Sequence, residues 1–374
     1  MMKRIFVLAL AVMMLLSLCA CGAKPADTDT QQTTTTTTTT ATEGETTTTT
    51  EDVTTTDGET TSTTAEETTT TAESTTATTS ATEGTTTAPT TKATTTKKTT
   101  TTTKKVTTTT TAYPDTGSVP ESLSILAVGN SFSVDAMQNH LFPMLKAAGC
   151  KNIRLGILYI GGASLDTHYD NVRLDRAKYD YYETTDGTWS TTPNYKASTA
   201  FALTDWDVVT LQQVSGHSGR GITYNNLDAL IELMRPQIGD AKLYWQMTWA
   251  YQQDSTHTDF SYYNKDQSRM YKSIVRATTE KIVGHAAFAG YFPSGTAIQN
   301  LRTSALGDTV TADGYHLKDS YGDYTAALTW FCTLTGKNAL SVTYRPDEIA
   351  AYFDEIAQSV NNAIATPLAV TECK

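Results

Sequence analysis

Hydrophobic and polar positions follow three regimes along this chain. Ile5 to Leu18 is an apolar run, interrupted only by Ser17, behind Lys3 and Arg4. Residues 22–112 show no apolar period and contain no Phe, Tyr or Trp. From residue 121 onward, short apolar runs alternate with stretches of helical spacing. LSILAVG (123–129) predicts a buried strand. Residues 134–148 carry Ala136, Leu141, Leu145 and Ala148 at helical intervals and stop at Gly149. Strands are predicted again at 153–160, 207–213, 241–249 and 285–292, with helices at 224–238, 261–283, 321–335 and 346–364. Repeated β-α-β order implies a parallel sheet with helices on both faces and chemistry at the carboxyl ends of its strands. Residues 179–195 depart from this order. Their aromatic-polar alternation around Asp186-Gly187 predicts a hairpin, read as a flap at the rim of a site or as surface decoration.

The chain therefore divides at 1–21, 22–120 and 121–374. An apolar run of about 14 residues is short for a membrane span and suits an export signal. Leu18-Cys19-Ala20-Cys21-Gly22 resembles a bacterial lipobox, which makes Cys21 the expected lipidation site and new N-terminus, anchored to the outer face of the cell membrane. The Thr-rich segment has too little apolar surface to offset ordering entropy and is expected to be a disordered stalk. Charge separates the regions further. Residues 113–374 hold 20 basic against 27 acidic side chains within a whole-chain net charge of −11. An acidic domain argues against a nucleic-acid partner. Cys150, Cys332 and Cys373 are too few and too widely spaced for a disulfide framework or a zinc knuckle.

Two short stretches carry the candidate chemistry. In GNSFS (129–133), Ser131 falls where the first strand gives way to a helix, so free N–H groups there favour developing negative charge. Taken alone, Ser131 reads more readily as a helix cap than as a nucleophile. In Asp313-Gly314-Tyr315-His316, an Asp three residues ahead of a His can hold one imidazole nitrogen and leave the other facing a nucleophile. Of the other histidines, His217 and His257 follow strand ends and are candidates for lining a pocket. His140, His168 and His285 read as structural. Trp249, Tyr251 and Arg302 are candidates for a sugar-stacking and polar wall, with the core as the other reading of the two aromatics.

With these blocks in place, residues 123–336 resemble the SGNH (GDSL-like) hydrolases, in a bacterial branch catalogued as a domain of unknown function. The resemblance rests on GNSFS, IGGASL (160–165), LQQVS (211–215), TWAYQQDSTH (248–257), FPSGTAIQNLR (292–302) and DGYHL (313–317). It implies a three-layer α/β/α sandwich on a parallel, five-stranded, flavodoxin-like sheet. It also implies Ser131 as nucleophile, His316 as general base and Asp313 as its orienter, with no metal or organic cofactor. The N–H groups of Ser131 and Gly162 would bind the oxyanion. The superfamily's third-block Asn is absent here, and Gln213 is the preferred substitute, with Ser215 and Gln212 as alternatives. The implied activity is hydrolysis of carboxylic, chiefly acetyl, esters on carbohydrate. The alternatives are an esterase of lipids or cell-wall components, and a surface carbohydrate-binding protein without activity.

Overall fold

The computed structural model describes residues 113–373. Residues 1–112, which hold the expected signal, Cys21 and most of the expected stalk, lie outside it. The strands are β1 (Ser122–Gly129), β2 (Asn152–Tyr159), β3 (Tyr179–Thr184), β4 (Ser190–Tyr195), β5 (Val208–Leu211), β6 (Lys242–Gln246) and β7 (Phe288–Phe292). The helices are α1 (Ser131–Met137), α2 (Leu141–Ala147), α3 (Leu165–Arg173), α4 (Ala197–Phe201), α5 (Leu227–Ile238), α6 (Gln267–Lys281), α7 (Ser294–Leu301), α8 (Tyr321–Thr335), α9 (Asp347–Ala350) and α10 (Phe353–Ala365).

One sheet of order β4-β3-β2-β1-β5-β6-β7 forms the middle layer. The five strands β2, β1, β5, β6 and β7 are mutually parallel, as the alternating pattern predicts. In chain order they run 2-1-3-4-5, the flavodoxin-like arrangement, whose switch point lies between β1 and β5. Helices α3, α4 and α5 pack together in one outer layer, and α1, α2, α7, α8 and α10 in the other. Strand β1 has no solvent-facing side through its middle: Ile125, Leu126, Ala127 and Val128 are all fully buried, which accounts for its continuous apolar run.

The hairpin is a sheet extension, which corrects the flap reading. Strand β3 pairs antiparallel with β2, with Leu155 opposite Thr184 and Tyr159 opposite Asp180. That register sends the turn at 185–189 past the amino end of β2, away from the carboxyl edge. Trp189 anchors the turn there, donating from Nε1 to the Gln138 carbonyl at 2.8 Å.

Three predicted helices are broken: that over 346–364 becomes α9 and α10, and the other two breaks each have a local cause. The helix expected over 134–148 becomes α1 and α2 because Pro143 lacks an N–H and its ring would clash with the Asn139 carbonyl in a continuous helix. The helix expected from 261 begins only at Gln267. Asn264 and Lys265 take left-handed φ values of 57° and 55°, and Asp266 caps α6 by accepting from the Arg269 N–H at 2.7 Å. Residues 113–120, grouped with the linker by composition, are tied to the domain. Tyr113 donates to Asn362 at 2.6 Å, and the Thr116 N–H to the Gly336 carbonyl at 2.9 Å.

Candidate active site

Ser131 is the first residue of α1, directly after β1 and at the sheet's switch point. Asn130 caps the helix, its Oδ1 accepting from the Phe132 N–H at 3.1 Å. Its Nδ2 donates to the Ala163 carbonyl at 3.0 Å and so ties this turn to the 161–164 loop. Gln212 donates to Asn130 Oδ1 at 2.5 Å and accepts from Ser133 Oγ at 2.7 Å. Gly129 leaves room for that network: a Cβ there would lie 2.2 Å from Ser133 Oγ.

His316 arrives from a tight loop whose ends pair as a bridge between Thr311 and Leu317. Gly314 takes φ +94°, which a side chain would strain, and sits against Ser255. Asp313 Oδ1 accepts the N–H groups of Tyr315 (3.1 Å) and His316 (2.8 Å), and its Oδ2 meets His316 Nδ1 at 2.7 Å. On the other side of the ring, His316 Nε2 lies 2.7 Å from Ser131 Oγ. Ser131, His316 and Asp313 are thus joined side by side across 185 residues of sequence. Burial works against ionisation of Asp313, yet its hydrogen bonds from the His316 ring, the His316 N–H and the Tyr315 N–H outweigh it. The carboxyl is held below its ordinary value, and so carries the charge that an imidazolium needs.

Behind this loop, Asp135 Oδ2 accepts the Leu317 N–H at 2.9 Å. Burial pushes Asp135 up to about 7, against the pull of that hydrogen bond and of His316. Asp323, at the start of α8, is pushed up to about 9 by burial and by the charge of Asp135. Sequence reading missed both. An Asp inside a predicted amphipathic helix gave no sign that it faces inward.

The residues expected to bind an oxyanion divide. Gly162, at φ +64°, lines the same cleft as Ser131. Gln213 does not face it, which corrects the preferred substitution. Its Oε1 accepts the N–H groups of Leu165 (3.0 Å) and Val214 (2.8 Å), and its Nε2 donates to the carbonyl and hydroxyl of Thr223 (2.8 and 3.2 Å). Gln212 is occupied beneath the Asn130-Ser131 turn. Ser215 does line the cleft, with its Oγ 2.8 Å from the Tyr251 hydroxyl.

The cleft holds about 270 Å³. Tyr159, His257 and Tyr315 line it beside the Gly161-Gly162 backbone, and Val214 is its one aliphatic side chain among the described residues. The hairpin adds no residue to this lining among the described residues; its Tyr182 ring packs 5.3 Å from that of Tyr159. Trp249, fully buried, stacks on Phe132 at 4.2 Å and belongs to the core. Arg302 is also buried and pairs with Asp308 at 2.8 Å, so it forms no wall of the site. His140 and His168 are buried; His285 pairs with Asp228. A larger concavity of about 1080 Å³ lies at the opposite, amino edge of the strands, around Leu123 and Asp207, and has no histidine in its lining among the described residues.

Fold and site together define a three-layer α/β/α protein with a Ser-His-Asp relay at the carboxyl edge of a flavodoxin-like sheet. Residues 124–364 match the family model described as a domain of unknown function, DUF4886, and the chain belongs to that family. A crystal structure of a DUF4886 family protein from Bacteroides uniformis ATCC 8492 is 39% identical, covering 67% of this chain and 98% of that one, with a TM-score of 0.64. A protein assigned to the SGNH hydrolases from Slackia heliotrinireducens is 19% identical, covering 57% and 99%, with a TM-score of 0.37. A crystal structure of an acetyl xylan esterase is 15% identical, covering 56% and 98%, with a TM-score of 0.36. No curated protein matches the chain.

Proposed function

We propose that this protein is a serine esterase that removes small acyl groups, chiefly acetyl, from carbohydrate. The observation that carries the reading is the unbroken relay from Ser131 Oγ through His316 to Asp313, two contacts of 2.7 Å each. His316 takes the Ser131 proton as the hydroxyl attacks the ester carbonyl. The resulting oxyanion rests on the N–H groups of Ser131 and Gly162. Collapse expels the alcohol, which receives the proton from His316, and leaves an acyl-serine. Water, deprotonated by His316, then releases the acid. No step calls for a cofactor.

Ser215 takes the place of the third oxyanion donor. Burial holds the Tyr251 hydroxyl well above its ordinary value, so it keeps its proton, and in this reading Tyr251 is the donor in its 2.8 Å contact with Ser215 Oγ. That leaves the Ser215 hydroxyl hydrogen free to turn into the cleft. Small acyl groups are favoured over lipid chains by the size of the cleft. At about 270 Å³ it falls below the roughly 300–1,000 Å³ of ordinary ligand pockets and leaves little room for a long chain. The lipobox-like sequence at Cys21 supports anchoring of the protein at the cell surface, with the Thr-rich segment as its tether.

The test is hydrolysis of p-nitrophenyl acetate by the full chain and by Ser131→Ala, with fluorophosphonate labelling. Activity and labelling confined to the parent are expected; equal rates would remove the enzyme reading. Acetate release from acetylated xylan, with little turnover of p-nitrophenyl palmitate, is the expected substrate pattern. The reverse preference would favour the lipid esterase.

A further inference from the structure

Beside the cleft lies a second concavity, of about 610 Å³, and its lining is strongly basic for so acidic a domain. Arg220, Arg269, Arg276 and Lys281 face it against one carboxylate, Glu280. Three of the nine arginines in residues 113–373 therefore meet at one place. None of these four cations forms an ion pair among the described residues, whereas Arg154, Arg173 and Arg302 each do. Arg269 and Arg276 stand two turns apart on one face of α6, with Ser273 between them, and both are exposed. Arg220 comes from the facing loop and lies 4.0 Å over the ring of Tyr262, itself 48% exposed.

The loop is built to stand close to α6. A Cβ on Gly219 would come 2.7 Å from Ser273 Cβ and 2.8 Å from the Tyr263 ring, so only glycine allows the approach. Tyr263 fixes the loop further. Its hydroxyl donates to the Gly216 carbonyl at 2.9 Å and accepts the Gly219 N–H at 3.0 Å, with Asp259 the nearby acid. The same loop serves both concavities. Ser215 lines the Ser131 cleft and Gly219 the basic one. Four residues span at most about 14 Å, so a chain-like ligand with its ester at Ser131 reaches the arginines within a few links.

Guanidinium groups left unpaired around a groove suit planar anions that they can hold by two hydrogen bonds, and carboxylate is such an anion. An arginine laid on an exposed tyrosine leaves the flat amphipathic surface that a sugar ring covers. The geometry points to a carboxylate-bearing carbohydrate, a uronate polymer, seated across Arg220, Arg269 and Arg276 with its acyl ester at Ser131. This inference deepens the esterase reading and rests on it for the position of the ester, but not for the binding of the polymer.

Binding is measured without catalysis, by calorimetric titration of full-length Ser131→Ala with oligogalacturonate. The same titration is run on Ser131→Ala carrying Arg269→Gln and Arg276→Gln, and on one carrying Lys242→Gln at the far edge of the sheet. The expected result is a dissociation constant raised at least about tenfold by the paired arginine changes, untouched by Lys242→Gln and partly restored by Arg276→Lys. Affinity should also fall between 0.1 and 1 M salt, as the screening length drops from about 10 to about 3 Å. Neutral xylo-oligosaccharide of equal length should bind more weakly and ignore the arginine changes. Absence of oligogalacturonate binding, or binding indifferent to both arginines, overturns the proposal. So does poly(glycerol phosphate) binding through these arginines where oligogalacturonate does not. A parent protein that binds oligogalacturonate through the arginines yet fails on every ester would instead remove the enzyme reading and keep the groove.

Discussion

Asp323 should make this protein less stable as pH rises, and the effect can be isolated. The carboxyl is 3% exposed, accepts one hydrogen bond from Asn139 at 2.8 Å, and leaves Oδ1 without a partner. Burial and the charge of Asp135 push it up to about 9 from an ordinary 3.8. Between those values the folded chain keeps a proton that the unfolded chain releases. The unfolded state then binds fewer protons, so stability falls with rising pH, by about 1.4 kcal/mol per unit for one group. From pH 5 to pH 8 that amounts to at most about 4 kcal/mol, a large part of the 5–15 kcal/mol typical of a domain. Asp135, pushed up to about 7, adds loss of the same sign that ends near neutrality. The measurement is urea unfolding of the parent and of Asp323→Asn at pH 5, 6, 7 and 8. Asparagine has its own pH-independent cost in a site with one unpartnered atom, and the other titrating groups are common to both proteins. Their difference should therefore move steadily toward the variant as pH rises. Parallel curves, with a difference constant to within about 0.5 kcal/mol, would refute the reasoning.

Other outcomes follow from the site. Asp313→Asn should lower kcat by up to ~10⁴-fold with little change in unfolding midpoint, because it removes the charge that orients His316 and balances its proton; a loss under tenfold would speak against the relay. Ser215→Ala should lower kcat about 10²-fold, as loss of an oxyanion donor does. Gln213→Ala should act differently, since it orphans the Leu165 N–H and loosens the 223 turn. A loss of about 1–3 kcal/mol of stability is expected, with the smaller rate effect of the two. The opposite ranking of these two variants in kcat would return Gln213 to the oxyanion hole. Gly129→Ala, with its Cβ 2.2 Å from Ser133 Oγ, should destabilise by about 1–3 kcal/mol, read as a shift in thermal midpoint.

Much of the scaffold was legible in the chain because it is locally encoded. The β1 run 123–129 is apolar throughout since both its faces are covered, and that pattern needs no partner to be seen. The helix breaks were legible too, in Pro143 and in Asn264-Lys265-Asp266, although periodicity alone passed over them. Helix α3 is less visible, having four buried positions in nine residues beside the more conspicuous tyrosines of β3. The 313–316 spacing exposed the Asp-His pair because both members share one turn. What distance in sequence hides was left to the tertiary structure. Gln212, Gln213 and Ser215 are all polar and stand within four positions at the end of β5, so composition cannot rank them. Only packing decides that Gln212 turns beneath Asn130, Gln213 turns toward Thr223 and Ser215 meets the cleft. The same holds for the basic groove, whose arginines at 220, 269 and 276 look unremarkable in an acidic chain. Side-chain direction and long-range proximity arise from the summed packing of many elements, and no single segment carries that information.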